Sequence, residues 1–194
     1  MSGILTYGDA PVPWTVLWSG EDTPLQIGEC PYAGRRAIVQ PVSLAGNGKP
    51  LFGKPHANRQ RECIARDLCD LCGKPLKLRT KVSLSHARPQ PHGAEGPAIL
   101  QVEPLLHREC AEISMRHCPS LKRDIRNGTL AVRQVLRHRV QFAVMDEIYC
   151  ESVAGQAVRA IGHAKVELLK WIDRDEAWIC AHGPNQKPGA EGET

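Results

Sequence analysis

The chain has 194 residues, 42% hydrophobic and 24% charged, with 15 prolines and 17 glycines. That length and composition allow one domain with elaborations, or at most two small ones, and no segment reaches membrane-spanning length. The net charge of +4 hides an asymmetry: residues 54–140 carry 17 Lys/Arg against 8 Asp/Glu, whereas residues 1–53 sum to −1 and residues 141–194 to −4. A basic middle of this kind suits a module that faces a polyanion.

Residues 1–53 are predicted to be a β-rich segment. Residues 12–18 alternate aromatic and β-branched side chains, and residues 36–42 are a second candidate strand. Pro13 and Pro41 confine both to edge positions, and Asn47-Gly48-Lys49-Pro50 signals a loop. Cys30, followed by Pro31, stands apart from the other cysteines and is read as a buried or free thiol. Residues 55–68 are predicted to be a helix with Pro55 near its start, decorated by Arg59, Arg61 and Arg66. Cys63 is read as packing on the apolar face of that helix, and as a ligand only if the helix ends early.

Residues 54–120 hold the strongest motif. Cys69-Asp70-Leu71-Cys72-Gly73 has the form of a knuckle that turns backbone amides toward two thiolates, with a glycine where a positive φ is needed. Residues 76–84 are read as two short strands or a hairpin, residues 87–97 as a loop, and residues 99–102 as a strand ended by Pro104. Residues 107–118 are then a helix stopped by Pro119, with His107 and Cys110 on one face of its first turn. The helix dipole favours a thiolate there. Cys118 lies eight residues past Cys110, roughly 12 Å along a continuous helix, too far for the same ion. Cys69, Cys72, His107 and Cys110 are therefore the predicted ligands of one structural Zn²⁺.

Residues 121–182 are expected to be an α/β segment packed on this module. Residues 130–136 and 140–144 look like two strands around a basic turn at Arg137-His138-Arg139, while residues 164–172 fit a helix or a strand. Residues 183–194, rich in Gly, Pro and Glu, are predicted to be a disordered tail. No role is legible for Cys150 or Cys180. The first seven residues lack the charged start and apolar run of a secretion signal. With paired Cys and His spacings, that predicts a reducing, cytoplasmic setting and no membrane association.

The order of knuckle, hairpin, long loop and ligand-bearing helix resembles the treble clef, and within it the zinc-containing branch of the HNH (His-Me finger) nucleases. Over residues 69–110 the order of parts matches, and His86, in Ser85-His86-Ala87-Arg88-Pro89, stands where that family has its general base. The resemblance implies His86 as a catalytic residue and Mg²⁺ or Mn²⁺ as the ion of a metal-dependent endonuclease. Ser85 replaces the acidic or histidine residue usual before the base, no asparagine lies between His86 and His107, and Ala111 stands where a metal-binding histidine often follows. A looser resemblance joins Cys69–Gly73, Pro104–Ala111 and Cys118-Pro119 to small proteins of phages and prophages. It implies a zinc module in a mobile-element setting.

The expected fold class is thus α+β: a treble-clef zinc finger embedded in a small irregular domain with flanking strands. Three functions compete. The first is a non-catalytic zinc module that binds nucleic acid or a nucleoprotein complex through Lys77, Arg79, Lys81, Arg108, Arg116, Lys122, Arg123 and Arg126. The second is the His86 nuclease. The third is a structural or adaptor protein docking on a host or virion protein through the Trp14/Trp18 strand and the acidic last third.

Overall fold

A computed structural model describes residues 3–77, 79–91 and 96–181. The N-terminal part contains β1 (Leu5–Tyr7), β2 (Ala10–Val12), β3 (Val16–Trp18), β4 (Gln26–Cys30), β5 (Arg35–Val39) and β6 (Pro50–Pro55). The middle contains α1 (Ala57–Ala65), β7 (Lys81–Ser85), β8 (Gln90–Pro91), β9 (Pro97–Gln101), β10 (Leu106–His107) and α2 (Arg108–His117). Then follow α3 (Pro119–Arg126), β11 (Ala131–Met145), α4 (Glu147–Ala154), β12 (Ala160–Arg174) and α5 (Glu176–Cys180). The class is α+β, with one curled sheet in the order β10-β7-β11-β12-β5-β4, and β9 also on the edge of β12. Segments 1–53, 54–120 and 121–182 all contribute strands to it. The predicted tail 183–194 and Leu78 lie outside the described residues. No helix among those described is long and apolar enough to cross a membrane.

The expected strand over 12–18 is two strands. Pro13 cannot donate to a ladder, and its carbonyl instead accepts the Val16 amide at 3.0 Å, turning the chain between β2 and β3. Residues 76–84 do not form a hairpin. The Leu76 amide donates back to the Asp67 carbonyl at 2.8 Å and Arg79 closes a turn onto Leu76, so only β7 is extended. The antiparallel partners of β7 are β11 and the two-residue β10 that leads into α2.

Arg137-His138-Arg139 is not a turn either. β11 runs through it unbroken against β12, with register shifts on either side of Arg137. A bulge absorbs the irregularity that a sequence reading takes for a reversal. It leaves His138 Nε2 3.4 Å from Asp67, the one described non-glycine residue with positive φ (55°). Residues 164–172 resolve as strand, because β11 supplies a partner for each of them except Leu169, which falls at a register shift. Pro119 does not end helical structure but starts it: Cys118 is extended (φ −75°, ψ 116°), and Pro119 takes the first position of α3.

Helix α1 is polar yet internal. Arg59 and Arg61 do not decorate its surface but are 4% and 2% exposed. Arg59 binds both carboxylate oxygens of the buried Glu21, at 2.5 and 2.7 Å, and donates to the carbonyls of Trp14 and Val16. Gln60 fills a gap on the edge of β12 between its pairings with β5 and β9. Its Oε1 accepts the Ala164 amide at 3.0 Å, and its Nε2 donates to the carbonyls of Ala164 (2.8 Å) and Val102 (3.0 Å). Asn58 pairs in the same two-way manner with the backbone of Gln40. The main core packs Val82, Leu84, Ile99, Leu106, Val132, Leu168 and Ile179 in one cluster with Cys69, Cys72 and Cys110. Each aliphatic side chain buried there contributes about 1.5–3 kcal/mol.

Candidate metal centre

The knuckle forms because α1 ends at Ala65 and Asp67 reverses the chain in the left-handed region, which aspartate tolerates better than most residues. Leu68 then bridges to Pro75, the Cys69 amide donates to Lys74 O, and the Gly73 amide donates to Cys69 O, both at 2.8 Å. Gly73 has φ 65°, and a Cβ there would lie 2.8 Å from the Trp14 ring. Both its conformation and the close aromatic contact therefore require glycine. The N-terminal segment is tied to the same loop: the Trp14 amide donates to Asp70 O at 2.7 Å and Thr15 Oγ1 to Asp70 Oδ1 at 2.5 Å. On the other side the Asp70 amide donates to Leu105 O at 2.9 Å, fixing the approach to β10.

His107 is the N-cap of α2 and Cys110 lies in its first turn. Cys69, Cys72, His107 and Cys110 are all buried, and their donor atoms lie within 4.8 Å of one another. His107 Nδ1 is 3.4 Å from Cys72 Sγ and 3.8 Å from Cys110 Sγ. For Zn–S near 2.3 Å and Zn–N near 2.0–2.1 Å, the N···S edge of a tetrahedron is about 3.6 Å. The observed separations bracket it. His107 Nε2 lies 3.0 Å from Pro75 O, so Nε2–H donates to that carbonyl and the Nδ1 lone pair is directed at the sulfurs.

The thiols are prepared for deprotonation unequally. Cys69 is lowered to about 5, first by the hydrogen bond from the Cys110 thiol and then by the amides of Cys72 and His107. Cys110 is pushed up, mainly because its proton is held on Cys69, and Cys72 is pushed up by burial. Three thiols packed together without a cation cannot all ionise, and a divalent ion among them removes that conflict. The donor set therefore fits a closed, four-ligand site for an ion such as Zn²⁺. The other cysteines are not in the cluster. Cys63 is buried and donates to Leu68 O at 3.2 Å; Cys30 and Cys150 are buried, Cys118 is partly exposed and Cys180 exposed.

The remaining candidate residues are scattered. His86 follows β7 with its side chain 56% exposed, and its Nε2 lies 2.9 Å from Oδ2 of the buried Asp124 on α3. Asp124 escapes a sequence reading because its helix does, although Pro119 at a first helical position is a usable start signal. The segment after β7 is held firmly: the Ala87 amide donates to Ser85 Oγ, Arg133 donates to Ala87 O and Arg88 to Thr129 O. Lys77 and Arg79 are exposed, whereas Lys81 is bound to Asp67. Arg108 donates to the Trp178 and Ala181 carbonyls of α5 and its neighbour, and Arg116 pairs with Glu112 on its own helix. Lys122, Arg123 and Arg126 are exposed along α3, with Arg123 Nε 3.5 Å from Asp124. Among the described residues the Cys/His cluster is the only group of three or more such donors close enough to hold a metal ion. No protein-family model matches the chain, and comparisons with curated proteins and with solved structures return no match.

Proposed function

We propose that the protein is a zinc-binding module of treble-clef type whose exposed basic helix α3 contacts nucleic acid or a nucleoprotein complex. The observation that carries the metal assignment is the buried Cys69/Cys72/His107/Cys110 cluster, with His107 Nδ1 turned to the sulfurs. The treble-clef reading draws on the sequence of parts: knuckle, β7, β10 paired antiparallel to β7, then α2 bearing the second ligand pair. The nucleic-acid reading draws on Lys122, Arg123 and Arg126, which are exposed on the short helix whose Asp124 bonds His86. Metal analysis of the purified chain should give one Zn²⁺ per molecule. Cys69→Ser and Cys110→Ser should lose the ion together with the cooperative unfolding transition. A stably folded chain without metal would overturn the assignment.

The His86–Asp124 hydrogen bond favours a second reading, hydrolysis of a phosphodiester. A buried carboxylate holding an exposed imidazole is how a general base is oriented, with Nδ1 left free to take a proton. Under this reading plasmid is nicked with Mg²⁺ or Mn²⁺, and His86→Ala abolishes nicking while Asp124→Asn reduces it. Equal cleavage by His86→Ala would exclude it.

A further inference from the structure

Arg108 sits between two of the four cluster residues, one position after His107 and two before Cys110. Its guanidinium lies over the Trp178 ring, 4.4 Å from the centroid, and its Nη2 donates to the carbonyls of Trp178 and Ala181, the latter at 3.1 Å. Arg174, held by Gln134 on the neighbouring strand, approaches the same ring at 5.1 Å. The next residue, Ile179, is fully buried in the core cluster that contains Cys110 and Ala111. The five-residue α5 is far too short to be stable alone, so its docking depends on these contacts. Arg108 Nε is buried without a hydrogen-bond partner among the described residues. The guanidinium is thus held in place by the ring and two carbonyls, not by a full set of acceptors.

We propose that α5 is a metal-responsive strap: Arg108 transmits the state of the Cys/His centre to the C-terminal helix through its stack on Trp178 and its bonds to the α5 carbonyls. This rests on the metal reading above. A bound ion fixes the first turn of α2 from both sides, at His107 and at Cys110, and so fixes the backbone that carries Arg108. When the ion leaves, that turn loses both of its bonds to the metal and keeps the His107 contacts to Pro75 O and to β7, Arg108 withdraws, and α5 lifts off with Trp178 and Ile179. Coupling of this kind is reciprocal in binding free energy, so the docked strap must also tighten binding of the ion, and affinity differences among variants of one site fall mostly on release.

The test uses the full chain. Co²⁺ loading first reports the centre: a tetrahedral thiolate spectrum means that the ion binds, and its absence overturns the metal reading and the strap together. With the ion bound, its transfer to excess chelator is timed in the wild type, Arg108→Gln and Trp178→Ala, with Tyr149→Ala, which removes an exposed aromatic on α4, as control. The strap requires release roughly tenfold faster in the first two and unchanged in the control. Hydrogen exchange is followed in the same metal-bound samples. Protection of 176–181 should fall in Arg108→Gln, while the β4–β5 hairpin keeps its protection. A normal Co²⁺ spectrum with wild-type release rates and unchanged exchange in both variants would overturn the strap and leave the metal centre standing.

Discussion

At the scale of single residues, the most consequential contact outside the centre is the buried pair of Glu21 and Arg59. Glu21 is 0% exposed, and besides Arg59 its oxygens accept the amides of Trp18 at 2.9 Å and Leu44 at 2.6 Å. Burial alone would raise its carboxyl pKa. The Arg59 guanidinium and the two amides outweigh burial and hold it below the ordinary 4.5. A carboxyl lowered by folding stabilises the fold fully above its unfolded-state value, and loses that contribution as pH falls through its folded-state value. Glu21→Gln leaves a buried guanidinium without its counter-ion and should cost about 3–5 kcal/mol at pH 7. Urea unfolding of the two proteins should show that gap at pH 7 and its contraction below pH 4.5. A gap independent of pH would mean that the carboxylate charge is not what stabilises the site. His56 acts in the same direction at higher pH. Burial lowers it from 6.5, and its Nε2 lies 2.9 Å from Val42 O while Nδ1 accepts the Arg59 amide. Its contribution is full above pH 6.5 and declines below.

At the scale of elements, α1 replaces a strand. The sheet is open where β12 passes from β5 to β9, and the Gln60 amide closes it by bonding both backbone groups of Ala164. Unpaired backbone groups at a buried position cost about 1–3 kcal/mol each. Gln60→Leu, similar in size but without donor or acceptor, should therefore destabilise the chain by roughly 2–4 kcal/mol in chemical denaturation. Gln60→Glu should cost at least as much at pH 7, because its carboxylate would be buried against the Ala164 and Val102 carbonyls that the amide nitrogen now bonds. Little loss in the leucine variant would show that water reaches Ala164. The same element shows the limit of reading helices by hydrophobic period. Asn58, Arg59, Gln60 and Arg61 are four successive polar residues, which in a sequence mark a solvated face, yet each finds a partner across the sheet or in the N-terminal segment.

At the scale of the whole molecule, the basic middle is less exposed than its charge count implies. Arg59, Arg61 and Arg133 are buried, Lys81 is paired with Asp67, and Arg108 is engaged by α5. What remains outward near His86 is Arg88 with the α3 group Lys122, Arg123 and Arg126. If α3 meets a phosphate backbone, replacing its three cations by alanine should lower the slope of log affinity against log salt by about 2–3 for a duplex probe in fluorescence anisotropy. An unchanged slope would remove α3 from the interface.

The Cys69/Cys72/His107/Cys110 cluster was legible in the chain because its information is local: C-x-x-C-G and H-x-x-C each place two potential donors within one turn of backbone. The exclusion of Cys118 was legible for a similar reason, since helical rise separates it from Cys110 and the cluster leaves it out. The β7–β10 pairing, the unbroken β11–β12 ribbon, the burial of α1 and the Asp124 partner of His86 were not legible. Each depends on a residue whose partner is distant in the chain, as Gln60 is from Ala164, His86 from Asp124 and Arg108 from Trp178. A polar side chain in sequence carries no mark of whether it meets water or a backbone carbonyl. That choice is made only when the sheet closes around it, because a buried polar group must find its hydrogen bonds inside the protein.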